Sequence, residues 1–437
     1  LRAALILAAD SAEGLTLLNV LKTFPSPGIQ VDLNAGLALT TELQRAINRT
    51  DAAVKLIQRR SRQEAQQTPV IPQPSFPHPT EPGVYDWQMF ALMPASPLRH
   101  QRQVPVDYYV PDRGDELPPV PVVVISHGLG NDRTSYAYLA EHLASHGYLV
   151  MVPEHPGSSA EQIAALISGY AAEVTDPEEF VNRPLDISAL LDDLAQRQAM
   201  PPFDALTLDL DNVLVIGQSF GGYTALALAG AAVDQSVLAR QCQIGLDVTL
   251  NLSLLLQCQA VSQADNLANL RDPRVQAAIA LNPVGSAIFG SSGFSQVQVP
   301  VLMLSSQADT VSPALNEQIQ PFTWLYQSPA AYLALVEGGT HFSTIGAGLD
   351  AVLPLPSGVI GPAPNLAQAY VKALSLSFLE VHLQDNAAYA PLLTAAYSEY
   401  LSEAPLPLSL IQTLAPADLK LAISGTDGDH NGVKAGK

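Results

Sequence analysis

Cysteine is scarce in this chain of 437 residues: only Cys242 and Cys258 occur, and neither stands near a histidine in a metal-ligand spacing, which disfavours a zinc site. Lying 16 residues apart within one polar stretch, the two suit a disulfide closing a short loop. Two buried free thiols are the competing reading. Basic residues are also few, 21 Lys and Arg against 41 Asp and Glu, and the formal charge of -20 repels nucleic-acid phosphate. The short QRRSR near residue 60 does not offset it. No apolar run approaches the eighteen or so residues of a membrane-spanning helix, and the opening LRAALILAAD is short and interrupted by Arg2. The chain does not begin with Met, and the expectation is that a native N-terminus and its targeting signal lie upstream.

Apolar residues, by contrast, are plentiful. At 48% they suffice for a large buried core and one or two globular domains. Residues 1–67 carry apolar positions at helical spacing, among them Leu37, Leu43, Ile47, Val54 and Ile57, and are expected to form a small N-terminal helical unit. TPVIPQPSFPHPTEPG, residues 68–83, holds too many prolines for helix or sheet and reads as a linker. From 84 to 423, YDWQMFAL, VPVDYYV, VPVVVIS, YLVMVP, NVLVIG, VQAAIAL, VPVLMLS and YLALVE read as strands. Helical segments separate most of them and a long helix follows from 364 to about 384. That alternation predicts an α/β fold with a mostly parallel, doubly wound sheet covered on both faces. Residues 231–273 break the rhythm and are expected to lie above the strand ends as a lid. The tail, 424–437, reads as disordered.

Gly217-Gln218-Ser219-Phe220-Gly221 fits the GxSxG pattern, preceded by an aliphatic strand and followed by a helix. The glycines allow a turn too tight for side chains, and the helix N-terminus places positive dipole ends where an oxyanion would form. A serine hydroxyl needs a base to take its proton, and this architecture requires the order Ser, acid, His. Asp309 follows the VLMLS strand and His341 follows the LALVE strand, and both are expected to complete the set with Ser219. Ser312-Pro313 already offers a helix cap, which leaves Asp309 without that task. The oxyanion hole is expected from the backbone N–H groups of Phe220 and of Leu129 in the SHGLGN loop, with His127 shaping that loop rather than acting as a base. Gly128, Val284 and Phe342, beside these residues, are candidate substrate contacts. This chemistry needs no metal or cofactor.

With these motifs the chain resembles the α/β-hydrolase superfamily. VVVISHGLGNDRTSYAYLAEHLASHGYLVMVPEHPGSS closely resembles the platelet-activating-factor acetylhydrolases and dienelactone hydrolase-like proteins, with similarity over residues 84 to about 385. In the acetylhydrolases the acid follows the strand after the nucleophile, where this chain has Asn282. An amide cannot stabilise an imidazolium by charge, so the departure moves the acid to Asp309. The Asp309 and His341 motifs resemble those of cutinase-like polyester hydrolases, which carry a stacking Trp about where Val284 stands here. Dienelactone hydrolases use cysteine as nucleophile, unlike Ser219. The N-terminal stretch resembles part of an uncharacterised helical domain that precedes such hydrolases in photosynthetic bacteria, which implies an extracytoplasmic protein.

The expected activity is that of a serine carboxylester hydrolase, acting through an acyl-enzyme on esters with short to medium acyl chains. Alternatives are a lipase or phospholipase, a polyester hydrolase and, from another class, a noncatalytic binding module. The partner is an ester substrate, small, lipid or polymeric, and no nucleic acid.

Overall fold

The computed structural model describes residues 7–8, 11, 19, 22–24, 33–67, 78–94, 101–113, 118–243, 250–267, 269–346 and 357–426. Most of the anticipated linker, 68–77, and of the anticipated tail, 427–437, lies outside these residues. The chain divides into two compact units, 1–47 and 48–437. The described residues of the first are mainly helical.

A nine-stranded sheet organises the second unit. Its strands are β1 (Trp87–Leu92), β2 (Val106–Pro111), β3 (Val120–Ser126), β4 (Leu149–Pro153), β5 (Leu208–Gln218), β6 (Val275–Leu281), β7 (Val301–Ser306), β8 (Ala331–Val336) and β9 (Leu408–Ile411). They lie in the order β1-β2-β4-β3-β5-β6-β7-β8-β9. The six from β4 to β8 are parallel, and β1, β2 and β9 complete the sheet by antiparallel pairing. This is the expected mostly parallel α/β architecture.

Aliphatic runs make these strands because both faces are covered. Along β3, Val122 and Val124 enter one core while Val123 and Ile125 enter the other, as the two-residue period of a strand requires. Helix α1 (Leu33–Gln67) contributes Ala53, Val54 and Ile57 to the first core. Residues 48–67 of the anticipated N-terminal helical unit thus belong to the second compact unit. α2 (Ala137–Ser145), on the other face, adds Leu139 and Leu143 to the second core. α3 (Ala160–Ser168) follows β4 with only Ala160 buried. α4 (Glu179–Arg197) and α5 (Phe220–Leu228) line the first core with Phe180, Leu190, Phe220 and Leu226.

Strand β9 was not anticipated. Its four residues follow Pro405 and Pro407 and are too few for a period to show, yet they pair with β8 at the sheet edge. The edge is partly covered: Leu410 N–H donates to Ser61 Oγ of α1 at 3.3 Å.

The insertion 231–273 is expected above the strand ends as a lid, and its connections to the sheet can be traced. α5 runs back along β5, so the chain leaves α5 and rejoins β6 where the strands begin, with Asp272 N–H donating to the Leu228 carbonyl at 3.1 Å. Its roots therefore lie at the end of the sheet remote from Ser219, because a helix following a parallel strand returns the chain to the strand's starting end. From there α6 (Gln235–Gln243) and α7 (Ser253–Gln257) pack along α8 (Ser286–Phe294). The middle of the insertion reaches the other end, where Ala287 N–H donates to Gln257 Oε1 at 2.9 Å.

Cys242 and Cys258 are bonded, with Cα atoms 5.5 Å apart, and tie α6 to the end of α7. Closing a loop of this length is worth about 3 kcal/mol in chain-entropy terms. Reduction, or paired replacement by serine, is therefore expected to lower the melting temperature by several degrees. An unchanged melting curve with and without reductant would show that the insertion holds itself in place.

Candidate active site

Ser219 stands between the end of β5 and the start of α5 with φ 55° and ψ -113°, a left-handed conformation rare for serine. The flanking glycines explain why the chain can turn here. A Cβ on Gly217 would fall 1.9 Å from the Gly221 carbonyl oxygen, and one on Gly221 would fall 1.9 Å from that of Ser126. Ser219 N–H donates to the Leu281 carbonyl at 2.9 Å and its carbonyl accepts from Val284 N–H at 3.3 Å, so the end of β6 and the residues just after it grip the turn. The first-turn N–H groups of α5, beginning at Phe220, have no intrahelical acceptor.

Asp309 follows β7 and His341 follows β8. Their side chains meet with His341 Nδ1 2.7 Å from Asp309 Oδ2, both residues being buried. The carboxylate has two separate tasks. Oδ1 accepts from the N–H groups of Val311 and Ser312 at 2.9 and 2.7 Å, while Oδ2 faces the imidazole. Asp309 thus caps the following turn after all, correcting the expectation that Ser312 would do so. The Ser312 hydroxyl instead turns inward, 2.9 Å from Asp309 Oδ2 and 3.2 Å from His341 Nδ1. Burial pushes the Asp309 carboxyl up, but His341, Ser312 N–H and the Asn282 amide together hold it below the usual carboxylate range.

Asn282 directly follows β6, and its amide donates to Asp309 Oδ2 at 2.8 Å. Sequence reasoning treated this position as a lost acid; the fold uses it to hold the acid on the neighbouring strand. Gln218 was passed over as the variable residue of GxSxG. Its amide donates to the His341 carbonyl at 3.1 Å and links the serine turn to the histidine loop.

The 126–131 loop lies beside α5. Gly130 N–H donates to the Ser158 carbonyl at 2.8 Å and Asn131 N–H to that of Gly128 at 3.3 Å, whereas Leu129 N–H has no acceptor among the described residues. His127 is fully buried. Its Nε2 accepts from His155 N–H at 2.9 Å, which leaves the proton on Nδ1, 2.7 Å from the Gly128 carbonyl. This places it in the loop's own hydrogen bonding rather than opposite a reacting group. Gly128 is enclosed by Gln218, whose Oε1 would lie 2.2 Å from an added Cβ, so its lack of a side chain serves packing. Val284 is buried beside the serine turn, and the Phe342 ring meets that of His341 edge-on at 5.2 Å.

Burial pushes the imidazoles of His127 and His142 down to about 3, and that of His155 well below its ordinary value. For each, the unfolded chain binds a proton below about pH 6.5 that the folded protein refuses, so stability is full above that pH and is lost as pH falls toward the folded value. Stability, and with it the denaturation midpoint, is expected to fall between pH 7 and 5, with a slope that rises toward a limit of about 1.4 kcal/mol per unit for each group. His142→Gln should flatten the slope; an unchanged slope would exclude His142 as a contributor.

Among the described residues no three His, Cys, Asp or Glu side chains cluster to hold a metal ion. In comparisons with known proteins, the family described as platelet-activating factor acetylhydrolase, isoform II, matches residues 103–188, from just before β2 into α4 and including the 126–131 loop. A family described as alpha/beta hydrolase of unknown function matches residues 1–32. A platelet-activating factor acetylhydrolase of Canis lupus familiaris is 32% identical over 158 residues, covering 29% of this chain and 34% of that protein. The match thus spans about a third of that relative's length. Sheet order and sequence likeness agree: this chain has the α/β-hydrolase fold and resembles the platelet-activating factor acetylhydrolases.

Proposed function

We propose that this protein is a serine carboxylester hydrolase. The observation that carries the reading is the 2.7 Å contact between buried Asp309 and His341, whose backbone carbonyl is bonded by Gln218, the neighbour of a serine held at a strained strand-to-helix turn. In the proposed cycle His341 Nε2 takes the Ser219 proton as Oγ attacks the ester carbonyl. Asp309 holds the proton on Nδ1 and stabilises the imidazolium. The Leu129 and Phe220 N–H groups receive the oxyanion. His341 then protonates the departing alcohol, and water, activated by the same imidazole, releases the acid and restores Ser219.

Two features extend the proposal. The relative named for acetyl hydrolysis supports short acyl groups as first candidates. The disulfide supports an extracytoplasmic location, where thiols stay oxidised. Among the described residues no helix is long and apolar enough to cross a membrane.

A second reading, a lipase or phospholipase working at a lipid surface, draws on Leu252 and Leu255 of the insertion, each 52% exposed. The polyester reading has less support, since buried Val284 offers no flat aromatic surface. A noncatalytic module would have no use for a histidine paired to a buried carboxylate beside the serine.

A fluorophosphonate probe together with an ester panel tests these readings. Labelling at Ser219 and turnover are expected, with rates falling beyond about C4 to C6 if the acyl pocket is short. Rates that instead rise with chain length, gaining up to about 0.8 kcal/mol per buried methylene, would favour the lipase. An intact but unlabelled protein would refute the hydrolase proposal.

A further inference from the structure

Beneath the 126–131 loop lies an arginine whose position the proposed cycle does not yet explain. Arg183, in the first half of α4, is fully buried, and among the described residues its Nε and Nη1 have no hydrogen-bond partner. Glu179 Oε2 stands 4.0 Å from Nε, and that carboxylate is already engaged by Ser158 Oγ at 2.8 Å and Arg102 at 2.7 Å. A buried charge so incompletely paired is a poor device for stability. What the guanidinium does reach is specific. Nη2 donates to the His127 carbonyl at 2.7 Å, and the cation lies over the Phe220 ring with Cζ 4.4 Å from its centroid.

These two contacts join the two backbone segments that carry the proposed oxyanion donors. His127 begins the loop containing Leu129, and Phe220 is itself the other donor residue. We propose that Arg183 is a positioning residue for the oxyanion hole, fixing the separation and aim of the Leu129 and Phe220 N–H groups. This rests on the serine-hydrolase reading given above. The planar guanidinium suits the task because its edge bonds a carbonyl while its face lies on a ring; a lysine at the same place makes only a point contact. Both donors belong to the backbone, so their aim depends on what holds the two segments from below. Hydrogen bonds that stabilise an oxyanion act over a narrow range of distance, and loss of one donor costs roughly 10²–10³ in turnover.

The test uses Arg183→Lys, Arg183→Met and Phe220→Leu, the last keeping the N–H but removing the ring under the guanidinium. Each protein is quantified by end-point titration with the fluorophosphonate, so that unfolded protein does not count. The expected result is a fall in kcat per titrated site of roughly 10- to 100-fold for Arg183→Met, with KM within about threefold. Arg183→Lys should retain intermediate activity. Affinity for a boronic acid, which forms a tetrahedral adduct, should fall in parallel with kcat/KM, while affinity for the product carboxylate stays constant. A merely structural role lowers the melting temperature and the titratable fraction but leaves kcat per site and boronate affinity unchanged, and that result overturns the proposal. Where the Arg183 variants do not fold, Phe220→Leu decides: wild-type kcat and boronate affinity in that variant overturn it too. Failure of the wild-type protein to react with the fluorophosphonate would instead overturn the hydrolase reading itself.

Discussion

Ser219→Ala is expected to lower kcat by about a millionfold on any ester the protein turns over, and to abolish fluorophosphonate labelling, while the fold persists. The size follows from covalent catalysis: with no oxygen at position 219 there is no acyl-enzyme, and only ester binding and the oxyanion donors remain to act on water. The fold persists because Ser219 Oγ makes no hydrogen bond among the described residues, while the turn is held through backbone bonds to Leu281 and Val284. A companion variant separates chemistry from strain. Serine at φ 55° carries a conformational cost of roughly 1–3 kcal/mol that glycine does not share, so Ser219→Gly should be inactive yet at least as stable as Ser219→Ala. The measurements are single-turnover kinetics, intact-protein mass after probe treatment, and denaturation midpoints. Turnover near wild type in Ser219→Ala would remove this serine from the mechanism.

Replacement of Asp309 by Asn is expected to have the second largest effect, about a 10⁴-fold loss of kcat. An amide there cannot balance the imidazolium, and its NH₂ group facing Nδ1 favours the tautomer that leaves Nε2 protonated and unable to act as a base. The neighbourhood offers an unusual control. The Asn282 amide lies 2.8 Å from the oxygen of Asp309 that His341 contacts, so the two strand ends deliver side chains to one place. Adding Asn282→Asp to Asp309→Asn is expected to restore roughly 10²-fold of the lost rate, since charge and hydrogen bond return from the adjacent strand. On the wild-type background the same change puts two carboxylates in contact and should raise one of their pKa values, which shifts the acidic limb of the rate profile upward. If the double variant recovers nothing, position 282 cannot hold a carboxylate where the imidazole needs one.

How legible these features were depends on the distance over which each is determined. The serine turn could be read because its requirements are local: an aliphatic strand, two glycines at fixed spacing and a helix start all fall within about fifteen residues. Strands β3 to β8 could be read because parallel strands covered on both faces are aliphatic along their length. Asp309 and His341 could be named as candidates because each follows such a strand. The partners of Asp309 could not be read. Asn282 and Ser312 approach it from segments whose spacing carries no period, and Gln218 occupies a motif position open to any residue. β9 is too short to announce itself. Where the insertion is rooted could not be read without the direction of the helix it leaves.

The sequence by itself determined that the backbone reverses sharply at Ser219 and that alternating strands and helices stack into a layered sheet, since steric demands on adjacent residues and the burial of aliphatic runs act along the chain. Only the tertiary structure decided that Asn282 and Ser312 converge on the Asp309 oxygen that faces His341, that Cys242 and Cys258 are joined, and that Arg183 lies under both segments proposed to supply the oxyanion donors. Each of those depends on side chains from separate segments arriving within hydrogen-bond or contact distance. Such convergence is set by how whole elements pack and leaves no periodic trace in the sequence.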